Sequence, residues 1–285
     1  MISKDIIRQI RNLEIYTKRL LSGMHVGDYS TAQKGGGFEF DQLNEYQQGD
    51  DVRFIDWKGS ARSNKILMRR YLEERNRTVL LFVDISRSSF YSSGSMLRYE
   101  LMAQIAGVIA LVGNRGKDHI GLVLFSDKIE KVIAPGRGNP HIHSIMETLF
   151  TIESGDSKTD LNVPFSYLAS SKKKGVLAFV ISDFIGESFE KSLNVARKKY
   201  EIVAIRCLDK NEQHFPNVGT LRVKDIESGE FVEIDTGARF GEAISERIKL
   251  QNKMFKKHAV DVLNVNVSQS FIADVVKFFR RRMRY

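Results

Sequence analysis

The residues best suited to do chemistry are three oxygen donors at alternate positions after an apolar run. Residues 78–83 predict a buried strand, and Asp84, Ser86 and Ser88 follow it directly. Hard divalent cations such as Mg²⁺ bind oxygen ligands, and a turn leaving a rigid strand can aim all three at one point. Asp and Ser also gather in ordinary turns because they bond to nearby backbone. The segment is therefore either a cation site or a structural turn.

Two more oxygen donors occur later in the chain in similar settings. A second apolar run, residues 176–182, ends at Asp183, and the polar loop between the two runs contains Thr159. Together with the first three residues they form a five-point oxygen site. Asp127 and Asp209 also follow predicted strands, so an acid at a strand end does not by itself identify the site. Strand order has to decide among them.

The order of the predicted elements favours an α/β fold with a doubly wound, mostly parallel sheet. Strands at 78–83, 120–126, 176–182 and 201–208 alternate with helical patterns at about 99–115, 139–152 and 187–199. In such a sheet, ligands bind beyond the carboxyl ends of the strands, where the strand order reverses. If 120–126 and 128–134 extend the sheet one way and 176–182 the other, Asp84 and Asp183 become neighbours. Asp127 then lies in a hairpin turn, and Asp209 lies farther from the crevice.

The remaining patterns predict a helix over 160–171, a hairpin from two short strands at 221–224 and 231–234, a last strand over 260–267 and a basic tail helix.

The five donors, in this order and setting, resemble the metal-ion-dependent adhesion site of von Willebrand factor A domains. The resemblance implies a von Willebrand factor A-like domain over residues 78–285. It also implies Mg²⁺, with Mn²⁺ or Ca²⁺ as alternatives, contacted by the hydroxyls of Ser86, Ser88 and Thr159. The acids, Asp84 and Asp183, would bind the ion directly or through water.

The wider chain resembles a bacterial family, domain of unknown function fifty-eight, whose members accompany MoxR-type AAA+ ATPases. The resemblance implies two partners, a MoxR-type ATPase and an acidic protein client. It further implies a non-enzymatic adaptor or co-chaperone that assembles or matures another complex. The segments that carry the resemblance are residues 35–40, 45–57, 60–62, 71–75 and 278–282.

Two residues depart from the family pattern. Arg87 stands where the family usually has Gly between the two serines, and Ser89 stands where it has Met. Arg87 could repel a cation, or it could assist an incoming carboxylate through paired hydrogen bonds. We expect Arg87 and Asp160, which follows Thr159, to contact the partner.

Length and composition suit one domain with an extension. The 285 residues are 42% hydrophobic, so they can bury one large core, and we expect residues 1–77 to form an N-terminal helix and a wrapping extension. The charged residues at 50–62 form either an ion-pair network or a partner surface. No apolar run approaches the ~20 residues of a membrane span, which favours the cytoplasm. The single cysteine, Cys207, excludes an internal disulfide and is expected to be a buried packing residue.

The net charge of +9 leaves three partner classes open: acidic proteins, anionic membrane surfaces and nucleic acid. The basic clusters lack interleaved aromatic residues, so we expect no specific nucleic-acid binding. Weak contact with an anionic membrane surface stays open. Ser182 precedes Asp183, but no Gly-x-Ser-x-Gly elbow surrounds it. Two alternatives to an interaction module remain, a metal-assisted hydrolase with a general base near the ion and a basic nucleic-acid binder.

Overall fold

The computed structural model describes residues 39–46, 52–63, 65–72, 77–92, 96–153, 155, 157–173, 175–209, 219–224, 231–235 and 238–282. These residues belong to two units, one containing residues 39–72 and one that starts at Arg77. The predicted N-terminal helix lies outside the described residues, and so do Asp50 and Asp51 of the charged segment at 50–62. The wrapping of residues 1–77 around the domain stays a prediction.

The smaller unit contains two strands that the weak periodicity of its sequence did not predict. Strand β1 (Glu39–Glu45) pairs antiparallel with β2 (Leu67–Leu72), and helix α1 (Trp57–Ser63) lies between them in the chain. The hydroxyl of Ser60 accepts a hydrogen bond from the N–H of Leu67 at 2.8 Å, which ties α1 to the start of β2.

The larger unit contains the remaining elements. Its strands are β3 (Thr78–Asp84), β4 (His119–Phe125), β5 (Ile129–Gly136), β6 (Val176–Ser182), β7 (Glu201–Leu208), β8 (Thr220–Lys224), β9 (Phe231–Asp235) and β10 (Asp261–Asn266). Its helices are α2 (Arg98–Arg115), α3 (Asn139–Thr151), α4 (Asn162–Ser170), α5 (Glu190–Arg197), α6 (Ala238–Lys257) and α7 (Ile272–Arg282).

Six of these strands form one sheet in the order β10-β7-β6-β3-β4-β5. All neighbours pair in parallel except β5, which returns antiparallel along β4. The sheet therefore grows in both directions from β3, with β4 and β5 on one side and β6, β7 and β10 on the other. The predicted reversal of strand order lies at β3, and β8 pairs with β9 as the predicted hairpin.

The two faces of the sheet are covered by different helices. Leu81 of β3 belongs to a core cluster with residues of α2, α3 and α7, whereas Phe82 belongs to a second cluster with residues of α4, α5 and α6. Because both faces are covered, the inner strands are buried on both sides, and this is why they read as unbroken apolar runs. The predicted fold class, α/β with a doubly wound and mostly parallel sheet, is confirmed. Cys207 of β7 is fully buried, as predicted.

The predicted helices at 160–171 and 187–199 correspond to the shorter helices α4 and α5. Among the described residues, none of the helices combines the length and the apolar character that crossing a membrane would require.

Candidate functional site

Asp84 and Asp183 lie at the carboxyl end of neighbouring central strands. Asp84 is the last residue of β3, and the register that pairs Val83 with Ile181 places it beside Ser182, the last residue of β6. Asp183 follows directly. The two carboxyl groups are close enough that the negative charge of Asp183 contributes to raising the pKa of Asp84. The structure thus brings together the two acids that strand order predicted to be neighbours.

The carboxylate of Asp84 is fully buried and is held at both oxygens. Its Oδ1 accepts a hydrogen bond from the backbone N–H of Ser86 at 2.9 Å, and its Oδ2 accepts one from the hydroxyl of Ser182 at 2.7 Å. Burial is the main cause that raises the pKa of Asp84 to about 6, and the charge of Asp183 is the second. The two serine contacts act in the opposite direction, because they favour the ionised form.

The three predicted hydroxyl donors form a cluster next to this carboxylate. The Oγ atoms of Ser86 and Ser88 are 3.1 Å apart, and the Oγ of Ser88 is 3.5 Å from the Oγ1 of Thr159, 71 residues later in the chain. Adjacent ligands of an octahedral Mg²⁺, each about 2.1 Å from the ion, lie about 3 Å from each other. The spacing and the all-oxygen donor set therefore fit a hard divalent cation.

Backbone hydrogen bonds hold the Thr159 loop against the turn after β3. The N–H of Arg87 donates to the carbonyl of Ser157 at 3.0 Å, and the N–H of Asp160 donates to the carbonyl of Ser126 at 3.1 Å. The Oδ1 of Asp160 accepts both the N–H and the Nδ2 of Asn162, at 2.8 and 3.0 Å. Asp160 therefore stabilises the start of α4, and its role in partner binding stays a prediction.

Asp183 makes a buried ion pair with an arginine that sequence reasoning missed. Its Oδ2 accepts a hydrogen bond from the Nη1 of Arg98 at 2.5 Å, and both side chains are almost completely buried. Its Oδ1 accepts the N–H of Ile185 at 2.8 Å. Phe184, between them, has a φ of +56°, so the chain turns sharply after β6. Both oxygens of Asp183 already have partners. Asp183 would therefore interact with a bound cation and with Arg98 at the same time.

The sequence did contain a signal for Arg98. Arg98 is the first residue of α2, and it precedes Leu101, Met102 and Ile105 by three, four and seven residues, so it lies on the same stripe of the helix. These three residues are buried. An arginine on the apolar face of a helix predicts a buried partner, because an unpaired charge is costly to bury.

The other acids at strand ends have different surroundings. Asp127 is exposed in the turn between β4 and β5, where the hairpin prediction placed it. Asp209 follows β7, one strand farther from β3 than β6, and it accepts a hydrogen bond from the hydroxyl of Ser92 at 3.4 Å. Glu130 was not singled out from the sequence, yet its Oε1 accepts the hydroxyl of Ser126 at 2.6 Å near the Thr159 loop.

A second buried arginine lies at the same end of the sheet. Arg206 of β7 pairs in register with Ser182 on one side and with Asn264 on the other. Its Nη1 donates to the Oδ1 atoms of Asn252 and Asn264 at 3.1 and 3.3 Å. Burial lowers the pKa of Arg206 to about 10, with a smaller contribution from the positive charge of Arg247. Among the described residues, the hydrogen-bond acceptors of the Arg206 side chain are amide oxygens and not carboxylates.

Comparison with known proteins gives a family and two distant structural similarities. An uncharacterised protein of Mycobacterium tuberculosis is 27% identical over 282 residues, which cover 96% of this chain and 89% of that protein. The solved structure of the conserved hypothetical protein BatB from Bacteroides thetaiotaomicron superposes with a TM-score of 0.48 at 16% identity, covering 73% of this chain and 100% of that one. The SpRpn10 VWA domain superposes with a TM-score of 0.40 at 14% identity, covering 71% and 94%.

The fold assignment rests on the strand order and register described above, because both TM-scores are under 0.5. The family assignment rests on a match that extends over residues 42–254, well over half of the chain. The chain therefore belongs to the family described as protein of unknown function DUF58.

Proposed function

We propose that this protein is a non-enzymatic, magnesium-dependent protein–protein interaction module that binds its partner through the oxygen site at Asp84. The observation that carries the proposal is the cluster of hydroxyl oxygens of Ser86, Ser88 and Thr159, spaced 3.1 and 3.5 Å apart beside a buried carboxylate. Three neutral donors and a fixed carboxylate suit recognition of a hard cation.

Each residue of the site has a separate part in this proposal. The ion would be contacted by the hydroxyls of Ser86, Ser88 and Thr159, and Asp84 would supply the buried negative charge. Asp183, which is paired with Arg98, would bind the ion directly or through water. Mg²⁺, or Mn²⁺ or Ca²⁺ in its place, would supply positive charge and an open coordination position when bound. Neutral hydroxyl ligands leave much of that charge uncompensated, which favours a carboxylate from a second protein as the next ligand.

The proposed partner is an acidic protein client, with a MoxR-type AAA+ ATPase as the second component. Arg87 supports the first part, because it follows Ser86 directly and its positively charged side chain is only half-buried. Membership of the DUF58 family, together with the sequence resemblance to proteins that accompany such ATPases, supports the second part. In this proposal the protein is an adaptor or co-chaperone for the assembly or maturation of another complex.

The experiment compares wild type with Asp84→Ala and with Asp127→Ala, a control that removes an exposed acid from the turn after β4. Each protein is titrated with Mg²⁺ by calorimetry and is tested for co-purification with a MoxR-type ATPase from the same cells, with and without EDTA. We expect Asp84→Ala to lose both Mg²⁺ binding and co-purification with the ATPase, and we expect Asp127→Ala to keep both.

Two results would favour the alternative functions. Hydrolysis of a nucleotide, nucleic acid or peptide that disappears in Asp84→Ala would favour the metal-assisted hydrolase. Nucleic-acid binding that is tight and persists at high salt would favour the nucleic-acid binder, because purely electrostatic binding weakens steeply with salt. ATPase co-purification that is indifferent to EDTA and to Asp84→Ala would contradict the proposed mechanism.

A further inference from the structure

We propose that Arg98 is a built-in cation of this site, which weakens metal binding and in return strengthens binding of the partner's carboxylate. This inference rests on the proposed function and concerns how the same site is tuned. Its basis is the buried ion pair between Arg98 and Asp183, together with the position of Asp183 next to Asp84.

The ion pair is part of the site and is screened from water. The exposed fraction of Arg98 is 1%, that of Asp183 is 3%, and Asp84 is fully buried. Charges that are removed from water influence one another more strongly than surface charges do. The Cys207 thiol is close enough to all three groups for their charges to shift its pKa. Burial raises this pKa most, the positive charge of Arg98 lowers it, and the two carboxylates raise it.

The balance of charge gives the direction of the effect. Ionised Asp84, Asp183 and Arg98 together carry one net negative charge, so the site with a divalent cation carries one net positive charge. Without the charge of Arg98 the same site would be doubly negative when empty of cation and neutral when loaded. The doubly negative site attracts a cation more strongly, whereas the neutral loaded site has little attraction for a carboxylate.

Arg98 also limits how Asp183 can bind a cation. One oxygen of Asp183 accepts from Arg98 and the other from the N–H of Ile185, so direct ligation by Asp183 has to compete with one of these bonds. This competition adds to the electrostatic repulsion between Arg98 and the cation. Both effects weaken metal binding, and only the charge of Arg98 favours the incoming carboxylate.

The test measures two affinities on the same full-length variants. Binding of Mg²⁺ is measured by calorimetry. Binding of acetate to the Mn²⁺-loaded protein is measured by water-proton relaxation, with chloride replacing acetate at constant ionic strength. The variants are Arg98→Gln, Arg98→Lys, which keeps the charge, and Arg206→Gln, which removes a buried arginine whose hydrogen bonds go to amides.

We expect Arg98→Gln to lower the Kd for Mg²⁺ by about tenfold or more and to raise the Kd for acetate by a similar factor, because an interaction between buried charges changes a binding constant by about tenfold or more. Arg98→Lys and Arg206→Gln should stay within about threefold of wild type for both ligands. Opposite shifts of the two affinities cannot arise from a general loosening of the site, which would weaken both.

A second variant keeps the test decisive if Arg98→Gln does not fold. Asp183→Asn leaves Arg98 in place and makes the loaded site more positive, so we expect weaker Mg²⁺ binding and tighter acetate binding, the reverse of Arg98→Gln. Unchanged or weaker Mg²⁺ binding in Arg98→Gln, or unchanged acetate binding in either variant, would overturn the role of Arg98 while the proposed function stands. Failure of wild type to bind Mg²⁺ at all would overturn the proposed function as well.

Discussion

The hydroxyl of Ser182 donates a hydrogen bond to the Oδ2 of Asp84 at 2.7 Å, across the two central strands of the sheet. The same Oγ accepts the N–H of Phe184 at 3.0 Å, which closes the turn that carries Asp183. One serine thus fixes the orientation of the first acid of the site and the path of the chain around the second.

Replacement of this serine should weaken the site. We expect Ser182→Ala to lower the free energy of unfolding by about 2 kcal/mol, because the buried carboxylate loses a charge-assisted partner. The pKa of Asp84 should rise further, since the lost bond favours the ionised form. Urea unfolding at pH 7.5 measures the loss. Ser89→Ala is the control, since Ser89 is equally buried and its hydroxyl lies 3.5 Å from the uncharged hydroxyl of Ser86.

The raised pKa of Asp84 predicts a pH-dependent stability in EDTA. The pKa is 3.8 for an ordinary aspartate and about 6 for Asp84 in the folded protein. Between these values the folded state binds more protons than the unfolded state, so the contribution of Asp84 to stability falls as the pH rises from about 4 to about 6. The total loss is on the order of 3 kcal/mol.

Asp84→Asn should remove that loss, because it leaves no charge to bury. We expect the variant to be more stable than wild type at pH 7.5 without metal and to match it more closely at pH 4.5. Burial also raises the pKa of Asp118 to about 6, and Asp118 is present in both proteins. The difference between their two pH profiles of stability therefore reports Asp84 alone. Parallel pH profiles of the urea midpoint for wild type and variant would contradict the raised pKa.

Arg87→Gly separates the two roles open to Arg87. If its guanidinium binds the incoming carboxylate, the variant should bind acetate on the Mn²⁺-loaded protein more weakly while its Kd for Mg²⁺ stays unchanged, and this is the outcome we expect. Tighter Mg²⁺ binding in Arg87→Gly would show instead that Arg87 repels the ion. The same calorimetric and relaxation measurements decide between the two.

Strand order and the site's main donors could be predicted because their signals are local and strong. The apolar runs that became β3 and β6 are buried on both faces, so every position had to be apolar, and the polar residue ending each run marks the carboxyl edge of the sheet. The reversal at β3 then follows from connection rules, and it places Asp84 beside Asp183.

The features that escaped prediction depend on contacts between distant residues. The pairing of Arg98 with Asp183 joins residues 85 apart, so the apolar stripe of α2 could indicate that Arg98 is buried but not which acid pairs with it. Ser182 looked like a weak candidate nucleophile, because its cross-strand contact to Asp84 needs the register of β3 and β6. Among the described residues, β1 and β2 form a separate two-stranded sheet, so they lack the long apolar runs of strands that are buried on both faces.

The most direct test of the cation site is a calorimetric Mg²⁺ titration of wild type, Thr159→Val and Thr148→Val. The first variant removes a hydroxyl of the cluster while keeping the side-chain shape, and the control removes a buried hydroxyl from α3. We predict one bound Mg²⁺ in wild type and in Thr148→Val, and a Kd at least about tenfold higher in Thr159→Val, since one ligand interaction is worth about a decade or more. Absence of Mg²⁺ binding in wild type, or identical binding by wild type and Thr159→Val, would contradict the account.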